Sequence, residues 1–394
     1  MKKIVFHYPH LKFWAGGTKF LLIVADLIAA KNKVSFIINV ADQKIINKFT
    51  KNKIKFLEIN KFLSTNSIFY WLFFPFVFIH DTVKTILLVN RKDILLSCIF
   101  PSNAICALAA KVKGAKHYHY CFEPFPFLRN PDFIKSHPPF KRSLLSFLSW
   151  AYSWLDDYGV KNTNKVFTLN EITQRQIKKT YGLESIITLM GVDTKHFQPQ
   201  KSTKFKSYEP YVVHSTDYTY AKNTDLAIKT MAKLDKTSSL KLLITSTRPT
   251  APEKNALVSL VKQLRLEDRV FFLDLVSYED LALLYSNALC YLSCSYDEMM
   301  GTTSSNLPVK EALACGTPAI RANITTEDVE YGVSGYLVDP RKTSIVAKKI
   351  EFLHSHPQIA KQMGLAGRKK IVKLYQWEKV AKKILDNLKE TPND

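Results

Sequence analysis

Apolar residues fall along this chain in two alternating patterns. Short runs rich in apolar and aromatic residues at 3–8, 34–40, 54–59, 94–100 and 115–121 read as buried strands. Between them, at 19–30 and 102–111, apolar positions recur every three or four residues, as on one face of a helix. A short strand at 165–168, a helix at 171–181 and a strand at 186–189 continue the series. The polar, basic stretch 195–208, with Pro199, reads as a linker. The alternation then restarts, with strands at 211–214, 240–245, 270–273, 288–293, 319–322 and 335–338. Helices are expected at 223–234, 252–264, 278–286 and 344–353. Another opens near 306–308 and closes at Cys315-Gly316, and a last one covers 361–388. Buried strands alternating with helices predict parallel sheets, and 394 residues suit two such domains. The expected fold class is α/β with two Rossmann-like domains.

Two stretches depart from this rhythm. An aromatic segment spans 62–89, and its most apolar part, 68–79, reads IFYWLFFPFVFI. That part is too short to cross a bilayer, and Pro75 interrupts it. The segment 140–158 carries Leu144, Phe147, Leu148, Ala151 and Leu155 along one side, Lys141 and Arg142 at its start, and Trp150 and Trp154. Both a core helix and a helix lying on a membrane surface have this pattern. The N-terminal MKKIVFHYPH reads as a first strand and not as a signal peptide.

Charge narrows the partners. A net charge of +22 points to an anionic surface or a phosphorylated ligand. The lysines are scattered and no nucleic-acid motif is present, which argues against nucleic acid. The six cysteines lie mostly in apolar runs without C-x-x-C spacing, as in a reduced cytoplasmic protein. No His/Cys cluster has metal-ligand spacing, so no metal is expected.

The densest chemistry lies in 291–323, YLSCSYDEMMGTTSSNLPVKEALACGTPAIRAN. Glu298 and Glu311 bracket a loop of Gly, Thr, Ser and Asn. Pro308 suits a first helical turn and Gly316 a helix end. The unit is strand, polar loop and helix start, whose free N–H groups favour an anion. Glu298 is placed at the strand's carboxyl end and Glu311 in the helix's first turn. A nucleotide sugar has the phosphates and hydroxyls such a site would hold; an ordinary surface loop would also fit the pattern. Gly16-Gly17 lets backbone approach a ligand at a strand end, or simply makes a tight turn. Glu123, in the proline-broken turn after 115–121, is placed at a sheet's carboxyl edge. Asp156-Asp157 reads as a solvated helix end.

Several segments, in this order, carry a resemblance over nearly the whole chain. They are Tyr181-Gly182 with Met190-Gly191-Val192-Asp193 and Phe197-x-Pro199; Lys222-Asn223; Leu281-x-x-Leu284-Tyr285; Glu298-x-x-Gly301 leading to Glu311-Ala312-Leu313-Ala314-Cys315-Gly316-Thr317-Pro318; Gly332-x-x-Gly335-Tyr336-Leu337-Val338; and Trp377-Glu378. The chain resembles a retaining glycosyltransferase of family 4, the GT-B type also called glycosyl transferases group 1. The resemblance implies two Rossmann-like domains facing a cleft. Residues 1–199 would bind the acceptor, 200–360 would bind the nucleotide sugar, and the helix in 361–394 would pack back toward the first domain. It implies transfer of a hexose from a nucleotide diphosphate sugar, a co-substrate and not a cofactor, without metal. Glu298 would lie nearest the donor sugar, Glu311 would hold the ribose, Gly301 and Thr302 would offer backbone N–H groups, and Lys222 would neutralise the diphosphate. Gly16, Gly17 and Arg248 complete the expected donor set, and His119 and Glu123 join Glu298 and Lys222 as catalytic candidates.

Three positions differ from the family pattern. Glu298 and Glu311 stand further apart, as though residues were inserted after Gly301. Thr216 occupies a usually basic position, leaving Arg248 or Lys254 to complete a phosphate clamp. Phe122 replaces a usual His, leaving His119 or Glu123 to meet sugar or acceptor. The aromatic segment, the basic helix and the charge point to a glycan or lipid-linked acceptor and to a peripheral position on an anionic membrane, on the cytoplasmic face. The alternative is a non-catalytic GT-B partner that binds a glycan or nucleotide.

Overall fold

The computed structural model describes residues 3–11, 16–60, 68–135, 137–219, 222–246, 250–295, 306–322 and 328–389. The chain divides into two units: Met1–Gly191 with Trp377–Asp394, and Val192–Gln376.

In the first unit the strands are β1 (Lys3–His7), β2 (His10–Leu11), β3 (Lys33–Ile38), β4 (Val40–Ala41), β5 (Lys55–Glu58), β6 (Ile94–Ser97), β7 (Lys116–Cys121), β8 (Val166–Thr168) and β9 (Ser185–Ile187). Seven form one parallel sheet in the order β5-β3-β1-β6-β7-β8-β9, and β2 pairs with β4. Burial explains the composition: β3 shows five consecutive buried positions and β6 four, as in a sheet covered on both faces. On one side, helix Ser102–Lys113 packs against helices Phe74–Leu88 and Pro139–Lys161. Gly159 permits the second contact, because a Cβ there would lie 2.5 Å from the Ala104 nitrogen. Helix Gly16–Ala29 packs with helices Gln43–Phe49 and Trp377–Lys389. Trp377 sits on Phe20, and any side chain at Gly191 would strike its indole at 2.3 Å.

The second unit contributes β10 (Tyr211–Thr216), β11 (Lys241–Ser246), β12 (Val270–Asp274), β13 (Cys290–Ser293), β14 (Ala319–Ala322) and β15 (Gly335–Val338). They form a parallel sheet in the order β12-β11-β10-β13-β14-β15. Its core joins Val212, Leu242 and Leu292 of the strands with Ile228 and Met231 of helix Thr224–Met231 and Ile350 of helix Thr343–Ser355.

Several expectations change. The helix expected over 361–388 is two helices, Pro357–Leu374 and Trp377–Lys389. Between them the Tyr375 carbonyl accepts from Val192 N–H at 2.7 Å, and the chain passes from the second unit to the first. The run 68–79 is split, as Pro75 predicts, into helices Ile68–Leu72 and Phe74–Leu88, and Pro75 stands in the first turn of the second, where its missing N–H costs nothing. Helix Gln43–Phe49, capped by Asp42, was not expected. The stretch 195–208 is anchored: Phe197 is fully buried, and the Arg368 guanidinium holds its carbonyl at 3.2 Å. Asp156 is not solvated. It takes hydrogen bonds from Asn103 (2.7 Å), Tyr181 (2.9 Å) and Arg129 (2.7 Å), which a helix exposed at that end would not provide. The six cysteines are free thiols and buried.

Candidate functional site

Strand order reverses between β10 and β13 in the second sheet. Loops leaving the carboxyl ends of such a pair diverge and open a crevice, the usual ligand site of an open parallel sheet. After β10 the chain runs through Asp217 to Thr219 and resumes at Lys222-Asn223. After β13 it runs through Cys294-Ser295 and resumes at Asn306. Each loop delivers a helix start to the crevice, Thr224–Met231 and Leu307–Ala314. Neither start is capped by its N-cap side chain, Asn223 or Asn306, so backbone N–H groups at both lack that partner. The two asparagines tie the loops down instead. Asn223 Nδ2 donates to the Cys294 carbonyl (3.3 Å), and Asn306 Nδ2 to Ser293 Oγ (2.6 Å). Asn223 takes a left-handed conformation (φ 48°) to make the turn.

Lys222 is half-buried at this edge, and its charge reaches the His214 ring. His214 is buried and lies on the inner side of the turn. Its Nδ1 donates to the Leu292 carbonyl (2.9 Å), which leaves Nε2 to accept from Thr224 Oγ1 (3.1 Å). Burial, more than the nearby lysine, lowers its pKa to about 4, so the ring is neutral. Thr216 is built into the same chain of bonds. Its Oγ1 lies 2.8 Å from Thr224 Oγ1 and accepts the Tyr218 N–H at 2.8 Å. Lys254 is already engaged: its ammonium holds both oxygens of Asp274, at 2.6 and 2.8 Å. It is therefore not the spare cation the sequence offered.

Glu311 is 6 % exposed and is the fifth residue of its helix, in the second turn and not the first. Two buried phenols, Tyr285 and Tyr291, and the half-buried Tyr278 share its surroundings. Burial first, and then the Glu311 carboxylate, hold the Tyr285 phenol well above its usual range; burial chiefly does the same for Tyr278 and Tyr291, with Glu311 adding to it. Tyr285 and Tyr291 hydrogen-bond Ser215 at the end of β10, each at 3.3 Å. His196 stacks on Tyr278 with centroids 4.1 Å apart. The helix that carries Glu311 is fixed at its far end as well. Arg368 caps the Ala314 carbonyl, and Gly364 lies so close that a Cβ would come 1.8 Å from the Gly316 oxygen.

Beside Glu311, Lys310 and Arg321 both bind Asp328, Lys310 at 3.1 Å. All three are 1–4 % exposed. Burial alone would raise the Asp328 carboxyl, but its two cations hold it well below the usual carboxylate range. This triad and Arg368 were missed by sequence reasoning. A glycine inside a helical pattern at 364 was the one available signal, for close packing.

The remaining expected residues lie in the first unit or outside the described residues. Glu298, Gly301, Thr302 and Arg248 are outside them. Gly16 and Gly17 open helix Gly16–Ala29 at the carboxyl end of β1, and a Cβ on Gly17 would touch the Phe122 ring at 3.6 Å. Glu123 follows β7, half-buried, and burial raises its carboxyl to about 7. His119 lies inside the sheet on β7, 3 % exposed, with Nδ1 2.9 Å from Ser97 Oγ and its pKa lowered by burial to about 3. Lys222 and Glu311 thus share the edge of the second sheet, while Glu123, Gly16 and Gly17 share that of the first. Among the described residues no group of three His, Cys, Asp or Glu side chains is placed to hold a metal ion.

Comparison with known proteins agrees with this topology. Residues 196–370 match the family model described as glycosyl transferases group 1. The N-acetyl-alpha-D-glucosaminyl L-malate synthase of Bacillus anthracis is 27% identical over 185 residues, 46% of each chain. The O-antigen chain mannosyltransferase B of Escherichia coli is 31% identical over 129 residues, 32% of each. This chain spans less than half the length of these curated relatives. Solved structures match over nearly everything: a sucrose-phosphate synthase from Thermosynechococcus elongatus (TM-score 0.75, 16% identity, 98% of both chains) and Anabaena Alr3699/HepE in complex with UDP (TM-score 0.73, 14% identity, 98% of this chain and 99% of that one). The chain has the GT-B fold, and its residues 196–370 match the model of the glycosyl transferases group 1 family.

Proposed function

We propose that the chain is a retaining glycosyltransferase that moves a hexose from a nucleotide diphosphate sugar to a glycan or lipid-linked acceptor. One observation carries this reading: Lys222, two helix starts without side-chain caps and the buried Glu311 converge where the second sheet reverses its strand order. Breaking a sugar–phosphate bond leaves charge on the diphosphate. A half-buried lysine and aligned backbone N–H groups stabilise that charge where it develops. Glu311 accepts hydroxyl hydrogen bonds from the ribose, and Glu298 stands by the sugar as it gains oxocarbenium character. No metal is needed in this scheme, because the lysine and the helix starts neutralise the leaving group. UDP-glucose, named with a structure of Anabaena Alr3699/HepE, and GDP-mannose, prompted by the mannosyltransferase relative, are the first donors to try.

A thermal-shift series with UDP-glucose, UDP-N-acetylglucosamine and GDP-mannose tests the donor site. At a ligand concentration near 100 times Kd, binding should add about 2.7 kcal/mol of stability. A shift from one of them that Glu311→Gln removes supports the reading; no shift from any donor overturns it. The anomeric configuration of the product, read by NMR, tests retention.

The non-catalytic alternative draws on Thr216 and Lys254, whose committed bonds leave Lys222 as the described cation facing the crevice. A donor that binds tightly yet releases no nucleotide in the presence of acceptor extracts would favour it.

A further inference from the structure

Two helices of the first unit turn large apolar side chains to solvent. On Phe74–Leu88 the exposed residues are Phe76 (74 %), Ile79, Val83 and Leu87; on Pro139–Lys161 they are Phe140, Phe147, Trp150 (79 %) and Trp154. At 3.6 residues per turn each set falls within an arc of about 80°. The inward faces are accounted for: Phe74 meets Tyr152 at 4.5 Å, and Leu148 and Leu155 are buried. The helix over 140–158 therefore has two apolar faces, one for the core and one left over. Both helices pack on Ser102–Lys113, in the layer that right-handed crossovers place on one side of the sheet. Their outer faces belong to the same side of the unit.

Charge identifies the occupant. Through 72–92 and 138–154 the one carboxylate is Asp81, which is 1 % exposed. Lys84, Arg91, Lys92, Lys141 and Arg142 are all exposed. Exposed Glu58 of β5 lines a pocket with Lys84 and Leu87, but the two stretches themselves present aromatic and aliphatic side chains with cations and no exposed acid of their own; this matches an anionic bilayer, whose interface takes indole and phenyl rings while its headgroups attract lysine and arginine. A protein partner would be expected to meet carboxylates as well as cations. No helix among the described residues is long and apolar enough to cross a membrane, so the contact lies in the interface plane. We infer that this layer of the first unit, through Phe76, Trp150 and Trp154 with Lys84 and Lys141, docks the chain on an anionic lipid surface. The inference does not depend on the transfer reaction.

Sedimentation with phosphatidylglycerol/phosphatidylcholine vesicles at low salt tests it, with pure phosphatidylcholine vesicles alongside. The wild type should partition at least tenfold more strongly onto the anionic vesicles. The triple variant Phe76→Ser, Trp150→Ser, Trp154→Ser should lose at least tenfold of that partition. Lys84→Glu with Lys141→Glu should lose most of its salt-sensitive part. Both variants change exposed side chains only; unchanged circular dichroism and melting will show that they fold. Equal binding by wild type and triple variant overturns the inference, as does failure of the wild type to bind. Sedimentation velocity provides a second check: if the wild type is a dimer that the triple variant breaks, and neither binds vesicles, a second copy covers the face and the lipid assignment falls.

Discussion

Polar side chains in the first sheet turn inward as neutral imidazoles. His7 bonds Ser102 and Thr85, while His117 and His119 share Ser97, and burial lowers all three to about 3. The carboxyl edge of the second sheet presents other groups: half-buried Lys222, buried Glu311, and the ion-paired Lys310, Arg321 and Asp328. The two sheets share a parallel topology and a strand-order reversal, yet three neutral imidazoles lie in the first, while the second has one, His214, and gathers an ion-paired triad beside its carboxyl edge. Equivalent folds therefore do not carry equivalent chemistry; the site is decided by what the strand ends present.

Asp328→Asn should strike hardest, because it leaves two buried cations without their anion. A loss of about 3–5 kcal/mol in urea unfolding is expected; a loss under 1 kcal/mol would mean the triad is not the support of the charged edge. Since its cations depress the Asp328 carboxyl, the stability it gives is present above its unfolded value near 4 and disappears as pH falls well below that. Next, Lys222→Met should slow transfer by roughly 10²–10³-fold, and a change of less than threefold would remove the lysine from the leaving-group site.

Acid should separate the two units. Buried imidazoles near 3 in the fold and about 6.5 unfolded make the unfolded chain bind more protons as pH falls below 6.5. Stability is then lost by up to about 1.4 kcal/mol per pH unit for each such histidine. The first unit has three of these, and the second has His214, lowered to about 4. All five tryptophans lie in the first unit, so their fluorescence reports it alone. That signal should change at a higher pH than the far-ultraviolet circular dichroism, to which both units contribute; coincident transitions would erase the contrast. The smallest effect is expected at Glu123. Its raised carboxyl penalises the folded state as pH climbs from 4.5 past 7, so Glu123→Gln should gain on the wild type in melting temperature between pH 5 and pH 8. A constant difference would show that the carboxyl is not held in its neutral form.

What the sequence made legible follows from range. Helices Glu171–Tyr181 and Tyr278–Ser286 and strands β14 and β15 fall where periodicity placed them, because apolar runs and end residues are local signals. Glu311 could be named because it follows a strand, a polar loop and a helix start in sequence, and Lys222 through the family resemblance of Lys222-Asn223. Asp328 could not. Its partners stand 18 and 7 residues away, and nothing local tells a paired buried acid from a solvated one. Asp156 was misread for the same reason. The outward face of the 140–158 helix was hidden by its abundance of apolar residues, since a helix with two apolar faces has no single stripe to read.

The helix Trp377–Lys389 belongs to the first unit, although all of the second unit lies between it and Gly191. A ribosome adds roughly 5–20 residues per second, so about 10–40 s separate the emergence of Gly191 from that of Trp377. During that interval Phe20 and Gly191 lack the indole that covers them, while the second unit emerges with all of its parts. The part of the chain synthesised first is thus completed last, and a chaperone meeting the nascent chain would find its open apolar surface around Phe20 and not on the later-made sheet.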